Sequence, residues 1–189
     1  ELFAISKNIY PIKLVSSKQN LFFKNFGKLQ EAKGFKIHFF EENGKSMMTI
    51  KQDFRFNAVK FSFKPFSIFE SLIHLPKKIN NLVWIDSDLR CKSFFNKNDL
   101  DIFLPKSDEL MTYLGRKNAY SECGFLGFNM QHPQFTNYID RIIEIYCTGE
   151  IFSLEEWHDS WIWDHVRHEF EKNGKAIFKD ISNKEYNGK

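Results

Sequence analysis

Residues 82–88 read Leu82-Val83-Trp84-Ile85-Asp86-Ser87-Asp88, four apolar side chains running straight into two carboxylates with one small residue between them. A short continuous apolar run marks a strand buried on both faces, and such strands belong to sheets covered by helices. The flanking sequence continues the pattern. Ile12 to Val15 predicts a short strand, and Ser17 caps a helix carrying Leu21, Phe22, Phe26 and Leu29 that stops at Gly34. Phe35 to Phe40 alternates with period two as the next strand. A helix opening at Pro65 turns Phe66, Phe69, Leu72 and Ile73 inward and closes before Pro76. Strands alternating with helices predict an α/β fold: a mixed, mainly parallel sheet with helices on both faces.

Beyond Asp88 the spacing predicts a loop over Asp99 to Pro105, strands at Leu110 to Leu114 and Gly124 to Met130 as an antiparallel addition, and a helix carrying Phe135, Tyr138, Ile139, Ile142 and Tyr146. Ser153 followed by Glu156 has the spacing of a capping box, and Phe152 with Trp157 that of a hydrophobic staple, so a helix is expected to start there. Asn173-Gly174 ends it, and Ala176 to Phe178 forms one more strand. No repeat, flexible linker or low-complexity tract interrupts the chain. Residues 1–189 are therefore expected to be a single domain, trimmed at one end or both because the sequence opens on Glu1.

Composition narrows the function classes. The net charge of +3 comes from interleaved Lys and Glu/Asp, not from a basic block, so no nucleic-acid partner is expected. Three widely spaced cysteines, Cys91, Cys123 and Cys147, form no C-x-x-C pair; neither a disulfide framework nor a zinc site follows, and a reducing, cytoplasmic setting does. No apolar run approaches the roughly 20 residues a spanning helix needs, so no membrane span is expected. The 22 phenylalanines point to an aromatic core.

In open α/β sheets, ligands bind beyond the carboxyl ends of the strands, which is where Asp86 falls. Two residues apart in an extended chain, Asp86 and Asp88 share a side, and their mutual repulsion is relieved by a cation. Mg²⁺ or Mn²⁺ is suited to this role, being typically held by one or two carboxylates together with substrate phosphates. The pair Asp99 and Asp101 has the same spacing but follows no buried strand, and it reads as solvated surface.

Four segments, "FSFKPFSIFESL" (residues 61–72), "LVWIDSDL" (82–89), "YLGRKNAYSECGFLGFN" (113–129) and "EEWHDSWIWD" (155–164), together resemble glycosyltransferases of the GT-A fold, a Rossmann-like architecture with a D-x-D motif after a buried strand. The resemblance implies transfer of a sugar from a nucleotide-diphosphate donor to an acceptor that is a glycan, lipid or protein. Asp88 would bind the divalent cation shared with the diphosphate, and Asp86 would orient the ribose or a metal-bound water. Lys64 matches a basic residue near the diphosphate, Arg116 is suited to bidentate bonds with phosphate or carboxylate, and Glu122 with Gly124 matches a segment lying under the donor sugar. Asp159 matches an acid that contacts the sugar or activates the acceptor hydroxyl, and adjacent His158 joins the substrate-binding set. One departure is that no His follows His168 to supply a late metal ligand.

Two rival classes are weighed. A nucleotidyltransferase needs a Gly-rich phosphate loop after the first strand, and "LVSSKQN" (residues 14–20) has no glycine. A non-catalytic carbohydrate- or nucleic-acid-binding module would use its aromatics as stacking platforms, but most of the Phe residues fall at core spacing.

Overall fold

The computed structural model describes residues 17–26, 35–76, 78–90, 92 and 96–182. Its elements are helix α1 (Ser17–Phe26), strands β1 (Phe35–Glu42) and β2 (Lys45–Gln52), helix α2 (Ala58–His74), strand β3 (Asn81–Ile85), helix α3 (Lys97–Phe103), strands β4 (Glu109–Arg116) and β5 (Ala119–Asn129), helices α4 (Phe135–Cys147) and α5 (Asp159–Lys172), and strand β6 (Ile177–Asp180). The expected strand at Ile12 to Val15 and the helix stop at Gly34 lie outside the described residues.

Strands β3 to β6 form one sheet in the order β3-β5-β4-β6. The expectation of a mainly parallel sheet is corrected here. β3 and β4 both pair antiparallel with β5, and only β4 with β6 is parallel. The antiparallel addition expected at Leu110 to Leu114 and Gly124 to Met130 is present as β4 and β5, joined through Lys117-Asn118 with Asn118 in the left-handed region at φ 58°; the difference is that β3 also runs antiparallel to β5. β1 contains the expected Phe35 to Phe40, but its partner is β2, across an Asn43-Gly44 turn with both residues at positive φ.

Helices do cover both faces of the sheet. Neighbouring residues of β5 point to opposite sides: Phe128 meets Trp163 of α5 at 5.6 Å, while Phe125 meets Phe103 of α3 at 5.7 Å. The predicted loop over Asp99 to Pro105 is thus largely helix, and Phe103 anchors it to the sheet. Its carbonyl accepts a 2.6 Å bond from Thr112 Oγ1. Gly127 lies beneath this contact. A Cβ there would overlap Thr112 Oγ1 and come 3.0 Å from the Phe103 carbonyl oxygen, so Gly127→Ala is expected to destabilise the fold by about 1–3 kcal/mol, read as a lower urea midpoint.

α2 begins seven residues before Pro65, because Asn57 accepts a 3.0 Å bond from the Lys60 backbone N–H and caps the helix there. Pro65 is instead an interior, buried residue, and Pro76 follows the helix end as expected. The predicted capping box does not form. Ser153 Oγ donates to the Glu150 carbonyl inside a 3₁₀ turn, and α5 opens only at Asp159. The Phe152–Trp157 contact is present, edge to face at 5.0 Å. Phe22, Phe66, Tyr146 and Trp157, each no more than 1% exposed, join α1, α2, α4 and the segment before α5 in one aromatic core. Among the described residues no helix is long and apolar enough to cross a membrane.

Candidate functional site

Strand β3 ends at Ile85, and the chain then turns: the Leu89 N–H donates to the Asp86 carbonyl at 3.1 Å, closing a four-residue turn over 86–89. The extended geometry assumed for Asp86 and Asp88 is therefore replaced by a bend, with Asp86 half-buried and Asp88 exposed on the turn. The backbone N–H of Asp86 donates to the Gly124 carbonyl at 2.8 Å, which ties the turn to β5.

Asp86 is held by two side chains. Trp84 Nε1 donates to its Oδ1 at 2.5 Å, and Lys64 Nζ lies 3.1 Å from its Oδ2. Trp84 shares a face with Asp86 by strand alternation, whereas Lys64 arrives from α2. The same ammonium sits 2.7 Å from Asp159 Oδ2 and donates to the Cys123 carbonyl at 2.8 Å. Lys64 and Asp159 are 11% and 13% exposed in their side chains, so this is a largely desolvated bridge. Burial alone pushes the Lys64 ammonium down, but the charge and hydrogen bond of Asp159, with Asp86 behind them, outweigh it and the net direction is upward.

Asp159 does not share a helical stripe with Glu155, because α5 starts at Asp159 itself. It lies in the first turn, where its Oδ1 accepts the Ser160 N–H at 2.9 Å and the positive end of the helix favours its charge. The cap is His158: its Nδ1 accepts from the Trp161 N–H at 3.3 Å, so Nε2 carries the proton and donates to Glu156 at 2.8 Å. His158 is 5% exposed, enclosed by Tyr120, Phe54 and Phe61. Expected in the substrate-binding set, it is a buried hub that caps α5 and thereby sets the position of Asp159. Glu156, assigned to the capping box by its spacing, is the partner of His158 and faces Arg55 at 3.6 Å.

Glu122 and Gly124 border the same spot. Glu122 accepts the Gly124 N–H at 3.1 Å through Oε1 and pairs with Arg116 at 3.1 Å through Oε2. A Cβ on Gly124 would stand 3.4 Å from Glu122 Oε1, 3.5 Å from Leu89 Cδ1 and 3.7 Å from Asp86 Oδ2, all ordinary contacts. Gly124→Ala is therefore expected to leave the melting temperature within about 2 °C, since a methyl that enters without overlap costs little. If ligand occupies that space, the same change lowers ligand affinity about tenfold or more, measured by titration beside the melting curve.

The fold thus brings together Lys64, Asp86, Glu122, Gly124 and Asp159, with Arg116 linked through Glu122 and Asp88 two residues from Asp86. Four acids (Asp86, Asp88, Glu122, Asp159) against two bases (Lys64, Arg116) leave a formal charge of −2. Sequence patterning missed Trp84 and the Cys123 carbonyl as supports. Trp84 had a readable signal in its period-two relation to Asp86, while a backbone carbonyl has none. Among the described residues, no three His, Cys, Asp or Glu side chains converge to hold a metal by themselves. Cys123 is 1% exposed and burial pushes its thiol well above the ordinary range, which makes it a packing residue and not a nucleophile. Comparison with protein-family models, curated proteins and solved structures found no match to the chain.

Proposed function

We propose that the protein is a metal-dependent glycosyltransferase of GT-A-like architecture that moves a sugar from a nucleotide-diphosphate donor to an acceptor. One observation carries the reading: Asp86, the Cys123 carbonyl and Asp159, far apart in the chain, meet around the single ammonium of Lys64 at the carboxyl end of β3. Packing alone does not require a half-buried acid, a largely buried acid and a largely buried lysine at one place.

The donor set fits a cation that arrives with the substrate. Hard carboxylate oxygens and a residual negative charge favour Mn²⁺ or Mg²⁺, and too few protein ligands converge to complete a shell without phosphate oxygens. Asp88, exposed on the turn, and Asp86 would hold the ion, which when bound neutralises charge on the departing diphosphate. Lys64 carries a second positive charge toward the same group, and its bridge between Asp86 and Asp159 is the resting arrangement of a lysine that otherwise pairs with phosphate. Gly124 leaves room for backbone to approach the sugar, Glu122 presents an oxygen to its hydroxyls, and Asp159 accepts the proton of the acceptor hydroxyl. Arg116 fixes Glu122, and His158 fixes Asp159 from beneath.

The test is nucleoside-diphosphate release from a panel of nucleotide sugars with Mn²⁺, Mg²⁺ or EDTA. Release by the wild type with metal, lost in EDTA and reduced at least about a hundredfold in Asp88→Ala, is the expected result. Metal-independent release, or none from any donor, rejects the assignment.

A further inference from the structure

A cleft of about 1270 Å³ runs between the β4–β5 hairpin and the outer side of α5. It adjoins the candidate site. Arg116 on its rim is the partner of Glu122, Ser121 on its wall precedes Glu122, and Trp161 lies two residues beyond Asp159. The wall is rigidly built: Asp164, 8% exposed, accepts from the Ser121 N–H at 2.8 Å, from Ser121 Oγ at 2.7 Å and from Arg167 at 3.0 Å. At its other end the Gly115 N–H donates to Asp180 at 2.9 Å, and a Cβ at 115 would overlap that carboxylate.

Apart from Lys117, which also lines the cleft, its main charged groups are tied up in contacts of their own. Arg167 is held by Asp164 and Glu171, Arg116 by Glu122 and the carbonyls of Tyr120 and Ser121, and Asp180 accepts two backbone N–H groups. What faces the open volume is therefore not a cluster of uncommitted cations, as a phosphate or polyanion would require. It is ring surface with hydrogen-bonding edges: Trp161 stacked on His165 at 4.7 Å and 14°, with Tyr120 and Asn118 across from them. Apolar ring faces with a few placed polar groups are the chemistry of a small-molecule site, and the alternating C–H faces and hydroxyl rims of a sugar match it.

We infer that this cleft is the acceptor subsite and that it takes a neutral sugar, stacked on the Trp161–His165 pair. The inference rests on the transferase reading for the word acceptor, but not for sugar binding itself. The experiment is a titration of the whole chain, in EDTA and without nucleotide, with neutral mono- and disaccharides of the gluco, galacto, manno and N-acetylglucosamine series and with their 6-phosphates, followed by backbone amide shifts and tryptophan fluorescence. Saturable shifts of residues 113–121 and 161–168 with a neutral sugar, weakened about tenfold or more in Trp161→Ala and largely retained in Trp161→Phe, are expected. Shifts confined to other residues, a preference for the phosphates, equal affinity in Trp161→Ala, or no shift with any neutral sugar overturns the inference. Trp161→Phe keeps the test valid if the alanine variant fails to fold. Sugar binding in the cleft without hydrolysis of any nucleotide sugar overturns the acceptor role and the proposed function together, whereas hydrolysis without sugar binding overturns the subsite alone.

Discussion

Replacing Lys64 with alanine is expected to destabilise the protein by about 3–5 kcal/mol, among the largest single effects available in this fold. The ammonium is largely buried and is shared by Asp86 and Asp159. Removing it leaves two acids facing each other in a region water reaches poorly, with their repulsion no longer screened by a counter-ion. The cost is mainly that of the stranded charges, not of a lost attraction. This distinguishes the account from simple packing: Lys64→Ala combined with Asp86→Asn and Asp159→Asn should recover most of the loss, because no charge is then left stranded. Urea unfolding of the single and combined variants measures it. Equal destabilisation in both would mean that the lysine's aliphatic stem, not its charge, supports this part of the fold.

The second large effect concerns turnover. Asp159→Asn is expected to lower the rate of sugar transfer by about 10²–10⁴-fold, the range for removal of a general base, with a smaller effect on donor affinity. Asparagine retains the shape of the side chain and an oxygen for the Ser160 N–H, so the start of α5 is preserved, while an amide NH₂ replaces the oxygen that faces Lys64. A variant with near-normal turnover would reduce Asp159 to a helix-terminal ion-pair partner.

Asp86 was legible as a candidate because it sits at a strand end, where local chemistry speaks, whereas Lys64 lies inside α2 and Glu122 and Gly124 inside β5. Asp86 follows a continuous apolar run, and Lys64 immediately precedes a proline in a strongly periodic segment. What could not be read was their joining: residues 64, 86 and 159 are linked through space, and no periodicity encodes a bridge between them. The parallel sheet was misjudged for a physical reason. The apolar run of β3 reads as a strand buried on both faces, but among the described residues β3 is an edge strand, half-buried and with Ile85 59% exposed, and an apolar run does not encode pairing direction. Asn43-Gly44 carried the strongest short-range hairpin signal in the chain and predicts β1–β2 once it is noticed.

The helix start at α5 shows how local and tertiary preferences compete. Ser153 and Glu156 have capping-box spacing, but Trp157 is drawn into the aromatic core and its N–H donates to the Arg55 carbonyl at 2.7 Å, which holds residues 154–158 out of the helix. His158 then takes the cap, and Asp159 gains its place in the first turn beside Lys64. The geometry of the acid thus depends on a burial event that spacing alone does not register.

Mn²⁺ binding followed by the paramagnetic signal of the free ion, with and without each nucleoside diphosphate, tests the central claim most directly. The account predicts weak binding to the protein alone, because too few carboxylates converge, and at least about tenfold tighter binding when one nucleoside diphosphate is present, abolished in Asp88→Ala. Equal Mn²⁺ affinity with and without every nucleotide, or coupling that survives in Asp88→Ala, would contradict it.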